Sequence, residues 1–178
     1  MVEELASGWR EGYVMTEVRA DEGLEEVRLL AVLRALGDHG VRYAVFGAVA
    51  LGLHGLARTT ADLDLFIEPT EENIERLKTA LRSVYADSCI DEISADDLCG
   101  EYPAVRYGPP DGFGLDIVTR LGEAFQFEGL AVESKRFQGI EVRVVTPRQL
   151  WEMKRGTVRP IDQADAAALA ERFGLGER

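Results

Sequence analysis

Residues 62–67, Asp-Leu-Asp-Leu-Phe-Ile, begin with charged and apolar side chains in alternation. Successive side chains of a β-strand point to opposite faces, so this pattern predicts a strand with Leu63 and Leu65 towards a core. Asp62 and Asp64 then share the other face, with Cα atoms roughly 7 Å apart. Two carboxylates this close repel one another unless a cation lies between them. Mg²⁺ suits the position because it prefers oxygen ligands and is commonly held by carboxylates together with substrate phosphates.

The spacing of these two aspartates is weak evidence when taken alone. Twelve aspartates in 178 residues produce about one Asp-X-Asp by chance, so a solvated acidic surface is the alternative interpretation. A second feature favours a site: a predicted strand over 41–46 ends at Gly47, before a short apolar helix over 48–54. Glycine lets a phosphate approach closely, and the free backbone N–H of Ala48 could then bind it.

A third aspartate lies inside an apolar strand pattern. Asp116 is the central residue of Gly-Leu-Asp-Ile-Val over residues 114–118. A charged side chain in such a strand needs a partner or a function. Asp116 is therefore either an edge-strand carboxylate satisfied by hydrogen bonds or a third carboxylate beside Asp62 and Asp64.

The rest of the chain alternates helical and strand patterns. We expect residues 1–20 to be disordered and residues 21–178 to form a single domain. Its predicted elements are a helix from Asp21 to about residue 37, strands over 41–46 and 63–67, a helix capped by Thr70, a solvated acidic segment over 86–101, a hairpin of 104–107 with 114–119 around residues 109–112, a second hairpin of 130–137 with 140–145, and C-terminal helices within 147–173. This order predicts an α+β or mixed α/β fold with helices mainly on one face of a mixed sheet.

Three segments together resemble a known signature. Residues 43–50, then His54-Gly55, then residues 58–65 resemble the DNA polymerase β-like nucleotidyltransferase superfamily. Within it, the His-Gly, Arg, Thr and Asp-Leu-Asp-Leu arrangement resembles the AbiEii/AbiGii type, which includes toxins of toxin–antitoxin systems. Residues 150–154 with Arg159, Asp162 and Asp165 are similar to the C-terminal helices of that branch.

The resemblance implies an Mg²⁺-dependent nucleotidyltransferase that moves a nucleoside monophosphate from an NTP to a hydroxyl. Asp62, Asp64 and Asp116 would be the catalytic carboxylates and the ligands of two Mg²⁺ ions. Asp116 would lie near the attacking hydroxyl and could accept its proton. The two ions would neutralise charge on the attacking and leaving oxygens while pyrophosphate departs.

The resemblance also implies a phosphate-binding side of the site. Gly47 and the amide of Ala48 would hold phosphate oxygens, although the superfamily usually has Gly-Gly or Gly-Ser here and Ala48 offers no hydroxyl. Arg58 and Lys154 are candidate phosphate partners. The alternatives are that Arg58 pairs with an acidic neighbour and that Lys154 lies on a solvated helix face. Thr60 is a nucleotide-site candidate whose alternative role is to fix the loop before Asp62.

Other polar residues of the motif favour structural roles. We interpret His54 as a packed or capping histidine rather than a ligand. Asp162 and Asp165 are three residues apart and share a helix face, so we expect them to pair with Arg159 or to cap the helix. We do not interpret them as metal ligands.

Composition limits the partners. A net charge of −12 argues against extended non-specific nucleic-acid binding, although a tRNA end could enter a local basic pocket. No apolar run reaches membrane-spanning length, and residues 1–20 lack the apolar core of a secretory signal. Cys89 and Cys99 are interpreted as free thiols of a cytoplasmic protein, with one disulfide between them as the alternative.

Three functions remain open on the sequence. The first is nucleotidyl transfer to an RNA, a protein or a small molecule, in which an antitoxin would be a further partner. The second is a catalytically weak or inactive nucleotidyltransferase fold that binds a protein partner. The third, an unrelated Mg²⁺-dependent phosphohydrolase, explains the paired aspartates but not the Gly47 turn together with the Asp116 strand.

Overall fold

The computed structural model describes residues 20–60, 62–100, 103–110 and 114–176, with the backbone alone for residues 20–25. Its strands are β1 (Tyr43–Phe46), β2 (Asp62–Ile67), β3 (Ala104–Tyr107), β4 (Gly114–Val118), β5 (Arg120–Leu121), β6 (Phe125–Gln126), β7 (Val132–Phe137) and β8 (Ile140–Val145). Six of them form one mixed sheet in the order β3-β4-β2-β1-β8-β7, while β5 and β6 pair separately.

Six α-helices accompany the sheet in this part of the chain. They are α1 (Ala20–Asp38), α2 (Gly47–Leu53), α3 (Glu71–Val84), α4 (Ala95–Cys99), α5 (Pro147–Arg155) and α6 (Pro160–Phe173), with 3₁₀ turns at Ser88–Glu92 and Phe127–Gly129. Thr70 and Thr146 begin α3 and α5, and each side chain accepts a hydrogen bond from the backbone N–H three residues later. None of these helices is both long enough and apolar enough to cross a bilayer.

Strand β2 lies at the centre of the sheet and links the core to the acidic face. It runs parallel to β4 and antiparallel to β1. Leu63, Leu65 and Ile67 are fully buried, as the alternation predicts. Each such side chain contributes about 1.5–3 kcal/mol through the apolar surface it removes from water. This buried face fixes the register of β2 and therefore fixes where its two aspartates lie.

The mixed α/β fold and both predicted hairpins are confirmed. β3 pairs with β4, and β7 pairs with β8 across the turn at Gln138-Gly139. Helix α1 begins at Ala20, one residue before the predicted start. Residues 111–113 of the first hairpin turn lie outside the described residues, and so do residues 1–19 of the segment expected to be disordered.

The acidic segment over 86–101 is more ordered than a purely solvated segment. It forms a 3₁₀ turn and α4, and three apolar side chains, Ile90, Ile93 and Leu98, are buried in the core. The six acidic residues of the segment suggested full solvation, but these three buried side chains attach it to the core. Cys89 and Cys99 are both exposed free thiols.

Candidate active site

The three aspartates singled out in the sequence line one pocket. Asp64 on β2 and Asp116 on β4 are direct neighbours in the parallel pairing, and Asp62 precedes Asp64 by two residues on the same face. The pocket has a volume of about 360 Å³. Its other lining residues come from the β1–α2 turn, the loop before β2, β5 and the α5–α6 region, and include Gly47, Ala48, Arg58, Thr60 and Lys154. The structure therefore brings together every residue that the sequence singles out for the site.

Gly47 is required by the carboxylate of Asp64. Its φ is +65°, in the left-handed region that side chains other than glycine rarely adopt. A Cβ at this position would overlap the Oδ2 atom of Asp64. The backbone N–H of Ala48 also hydrogen-bonds this carboxylate. The turn that the sequence indicated as a phosphate site thus positions Asp64 in the structure described here.

Substitution of Gly47 should therefore disturb the site as well as the backbone. We expect Gly47→Ala to lose about 1–2 kcal/mol of stability from the left-handed conformation, and more from displacement of Asp64. Gly40→Ala is a matched control, because Gly40 has a φ of +62° and open space around its missing Cβ. Urea unfolding should show a larger loss for Gly47→Ala than for Gly40→Ala. Equal losses would mean that the overlap with Asp64 has no energetic consequence.

Asp64 lies in an environment that disfavours its charge. Burial, followed by the negative charges of Asp62 and Asp116, raises the pKa of Asp64 to about 6. The charge of Lys154 and the hydrogen bond from Ala48 act in the opposite direction. A carboxyl group with this pKa is largely ionised at neutral pH, but its ionisation lowers the stability of the folded protein.

The cost of ionising Asp64 predicts that Asp64→Asn changes the stability of the metal-free protein in a pH-dependent way. The folded pKa is about 6 and the ordinary value is 3.8, so the stability that the protonated Asp64 contributes is lost as the pH rises from about 4 to about 6. The neutral asparagine avoids that loss. In EDTA, we expect Asp64→Asn to increase the free energy of unfolding by about 2 kcal/mol at pH 8, with the gain shrinking towards pH 4.

Urea titrations at pH 4.5, 6 and 8 measure this dependence. Asp96→Asn, which removes an exposed charge on α4 outside the pocket, should change stability by less than about 0.5 kcal/mol at each pH. A gain for Asp64→Asn that is independent of pH, or absent at pH 8, would contradict the raised pKa of Asp64.

An arginine that no sequence motif indicated also lies at the carboxylates. Arg106 on β3 lies directly opposite Asp116 in the antiparallel pairing. Its Nη2 atom is 3.1 Å from Oδ2 of Asp62, and its Nε atom is 3.7 Å from Oδ1 of Asp116. The guanidinium therefore bridges two of the three carboxylates from the edge strand.

Lys154 lies in a buried ionic cluster and not on a solvated helix face. Its Nζ atom is 2.7 Å from Oδ1 of Asp162 and 2.9 Å from Oδ2 of Asp165, and all three side chains are at most 10% exposed. The solvated-face alternative for Lys154 is thus wrong, because α6 packs against α5 and covers this position. The expected pairing of Asp162 with Arg159 is present at 3.6 Å, but Lys154 is the closer partner.

The two remaining candidates from the loop before β2 have protein partners. The Nε atom of Arg58 is 3.3 Å from the carboxylate of Asp165, so Arg58 has the acidic neighbour that was one of its two predicted roles. The hydroxyl of Thr60 lies 2.9 Å from Oδ1 of Asp62 and orients that carboxylate. Both residues line the pocket, so both can also reach a bound ligand.

His54 occupies the packed position that the sequence predicts. It is buried, and its Nε2–H donates a 2.8 Å hydrogen bond to the carbonyl oxygen of Val145. Burial lowers the pKa of His54 and favours the neutral ring. His54 connects the end of α2 to β8, and it does not line the pocket.

The carboxylates offer suitable chemistry for a divalent cation but are not assembled around one point. Three oxygen-bearing side chains with mutually repelling charges suit a hard cation such as Mg²⁺. Across residues 20–60, 62–100, 103–110 and 114–176, however, no three aspartate, glutamate, histidine or cysteine side chains are arranged to hold a metal ion as they stand. Shared ligation of one cation would therefore require these side chains to move.

Solved structures of nucleotidyltransferases have a fold similar to that of this chain. The solution structure of the antibiotic-resistance factor ANT(2'')-Ia is similar, with a TM-score of 0.56, 14% identity and coverage of 83% of each chain. The crystal structure of ANT(2'')-Ia with adenylyl-2''-tobramycin has a TM-score of 0.52 and 15% identity, covering 83% of this chain and 88% of that one. An antigenic nucleotidyltransferase-like protein from Paracoccidioides brasiliensis has a TM-score of 0.51 and 16% identity, covering 82% and 76%. The fold is that of nucleotidyltransferases.

Sequence comparison then gives the family. The chain belongs to the family described as "Nucleotidyl transferase AbiEii toxin, Type IV TA system", whose model matches residues 28–168. No curated protein matches the chain significantly in sequence. The resemblance found in the sequence motifs is therefore confirmed, and the chain is placed among the nucleotidyltransferases.

Proposed function

We propose that this protein transfers a nucleoside monophosphate from an Mg²⁺-bound NTP to a hydroxyl group of an acceptor. The observation that carries the proposal is the meeting of Asp62, Asp64 and Asp116 from two adjacent strands in one pocket. Cationic side chains from other elements, including Arg58 and Lys154, line the same pocket. Acidic ligands for a cation thus lie close to positive charges suited to a triphosphate.

In this proposal, the acceptor oxygen forms a bond to the α-phosphorus while the bond from that phosphorus to the β-phosphate oxygen breaks. Pyrophosphate leaves with the bonding electrons, and Asp116 accepts the hydroxyl proton. Asp62 and Asp64, with Asp116, would hold Mg²⁺, which supplies positive charge to the phosphate oxygens when bound. Thr60 keeps Asp62 in orientation, and Gly47 leaves the space that Asp64 occupies.

The ion pairs that Arg58 and Lys154 already make determine how well each could bind a phosphate. Arg58 lies 30% exposed at the pocket and holds only one carboxylate, so it can bind a phosphate without leaving a buried charge unpaired. Lys154 is held by two carboxylates and acts mainly through its positive charge near Asp64. Phosphate binding at Gly47 and Ala48 would require the Ala48 N–H to be shared with, or released from, Asp64.

The cellular role we propose is that of the toxin in a toxin–antitoxin pair, supported by the family description. The acceptor class stays open among a tRNA end, a protein and a small molecule, and a cognate antitoxin is the further partner. One ANT(2'')-Ia crystal structure contains adenylyl-2''-tobramycin, and that ligand belongs to ANT(2'')-Ia. We propose a cytoplasmic location, where NTP, Mg²⁺ and these acceptors are all present.

A second candidate function is supported by one observation. Because Arg106 bridges Asp62 and Asp116 and no ready metal cluster occurs in the described ranges, the fold could bind a protein partner with little turnover. This alternative predicts no nucleotide-dependent labelling of any acceptor.

Incubation with each α-³²P-labelled NTP, Mg²⁺ and a cell extract tests the proposed function. Transfer predicts one acceptor that becomes labelled and an equal amount of released pyrophosphate. Treatment of the labelled product with ribonuclease or protease then distinguishes an RNA acceptor from a protein. If all four NTPs leave every acceptor unlabelled, the binding-module alternative is favoured.

A further inference from the structure

Arg106 occupies the position where a cation would interact with the aspartates. It donates a 3.1 Å hydrogen bond to Oδ2 of Asp62 and forms a longer ion pair, 3.7 Å, with Oδ1 of Asp116. These are two of the three carboxylates that the proposed function assigns to Mg²⁺. A guanidinium and a metal ion both bind carboxylate oxygens and both bring positive charge, so each weakens the binding of the other at these aspartates.

The fold explains how an arginine on the edge strand reaches both carboxylates. Directly opposite residues of an antiparallel pair share a face, so Arg106 and Asp116 project to the same side of the sheet. Strand β4 separates β3 from β2, and a long side chain can cross it to Asp62. The Arg106 side chain is 67% exposed, so it is free to leave this position without unpacking the core.

We propose that Arg106 is a built-in competitor of the divalent cation, and that it releases the aspartates when a triphosphate offers it a new anionic partner. This inference rests on the proposed function. The positive charge of an arginine guanidinium competes with a divalent cation for carboxylate oxygens. Its planar donors match phosphate oxygens, which makes a triphosphate a suitable second partner.

The consequence is coupling between metal and triphosphate. Metal alone must displace the guanidinium, whereas metal arriving with a triphosphate finds Arg106 drawn away. By linkage, a triphosphate that strengthens metal binding is itself bound more tightly in the presence of metal. Removal of the Arg106 charge should strengthen binding of metal alone and weaken this coupling.

Mn²⁺ binding to the full chain, measured from the electron paramagnetic resonance signal of free Mn²⁺, tests the competition. Exposed ion pairs of this kind contribute modestly, so we expect Arg106→Gln to lower the Kd for Mn²⁺ by roughly three- to tenfold. Arg106→Lys should lie between the wild type and Arg106→Gln. Arg82→Gln removes another exposed arginine that pairs with an aspartate, outside the pocket, and should leave the Kd unchanged.

The same titration with inorganic triphosphate, corrected for the Mn²⁺ that triphosphate chelates without protein, tests the release without an assumption about the base. In the wild type, inorganic triphosphate should increase Mn²⁺ affinity by a larger factor than in Arg106→Gln. An unchanged or weaker Mn²⁺ affinity in Arg106→Gln, with Asp62→Asn still impairing binding, would overturn the competition but leave the proposed function intact. No Mn²⁺ binding by any of these proteins, with or without triphosphate, would count against both.

Discussion

Asp62→Asn and Asp64→Asn should each reduce Mg²⁺-dependent pyrophosphate release by about 10³-fold or more while the protein stays folded. Metal ions contribute several kcal/mol of transition-state stabilisation, and each 1.36 kcal/mol corresponds to a factor of about ten in rate. Asparagine preserves the size of the side chain but loses the negative charge that would hold the cation. The loss should appear in kcat, because the proposed role of these carboxylates is in the chemical step.

Unfolding measurements on both variants separate a loss of catalysis from a loss of folded protein. Neither side chain is part of the apolar core, and neutralisation of Asp64 relieves repulsion from Asp62 and Asp116. Unfolding curves should therefore show a variant at least as stable as the wild type for Asp64→Asn. Asp96→Asn, outside the pocket, should retain wild-type release. Unchanged pyrophosphate release in either pocket variant would reject the catalytic assignment of that residue.

Lys154→Met should cause the largest loss of stability among the variants considered. It leaves the carboxylates of Asp162 and Asp165 buried without the cation that lies 2.7 and 2.9 Å away. Removal of one partner from a buried ion pair costs about 3–5 kcal/mol, since the remaining charge is uncompensated. Arg58 and Arg159 also contact this pair of aspartates, at 3.3 and 3.6 Å, and should soften the effect towards the lower end.

Two comparisons make this result specific. Lys135→Met breaks an ion pair whose partners are 39% and 38% exposed, so it should change stability by less than about 1 kcal/mol. The triple variant Lys154→Met, Asp162→Asn, Asp165→Asn removes the stranded charges and should recover part of the loss. A Lys154→Met variant as stable as Lys135→Met would mean that the cluster does not hold α5 and α6 together.

The central strands could be predicted because polar and apolar residues alternate along them, which shows both the strand conformation and the face that packs on the core. The alternation in residues 62–67 has one solution in a half-buried strand, which also places Asp62 and Asp64 on one face. The capping threonines and the Gln138-Gly139 turn are similarly local signals. These elements are set by neighbours in sequence, which a single chain displays.

The features of the site that could not be predicted depend on contacts between segments that are distant in sequence. Arg106 reaches Asp62 across β4, and only the order and register of three strands bring the two residues together. Lys154 carried a helix pattern with no indication that α6 would cover it. Gly47 suggested a phosphate turn from sequence, while its contact with Asp64 follows from the antiparallel pairing of β1 with β2.

The proposed function depends on Asp62, Asp64 and Asp116 together binding a divalent cation beside a triphosphate. A crystal structure of the protein with Mg²⁺ and a non-hydrolysable NTP measures this directly. We predict Mg²⁺ at about 2.0–2.1 Å from oxygens of these carboxylates, with Arg106 turned away from them and towards phosphate. A nucleotide bound outside this pocket, or Mg²⁺ that contacts none of these three carboxylates at saturation, would contradict the proposed function. Mg²⁺ on the carboxylates with Arg106 still bridging Asp62 and Asp116 would contradict only the competition.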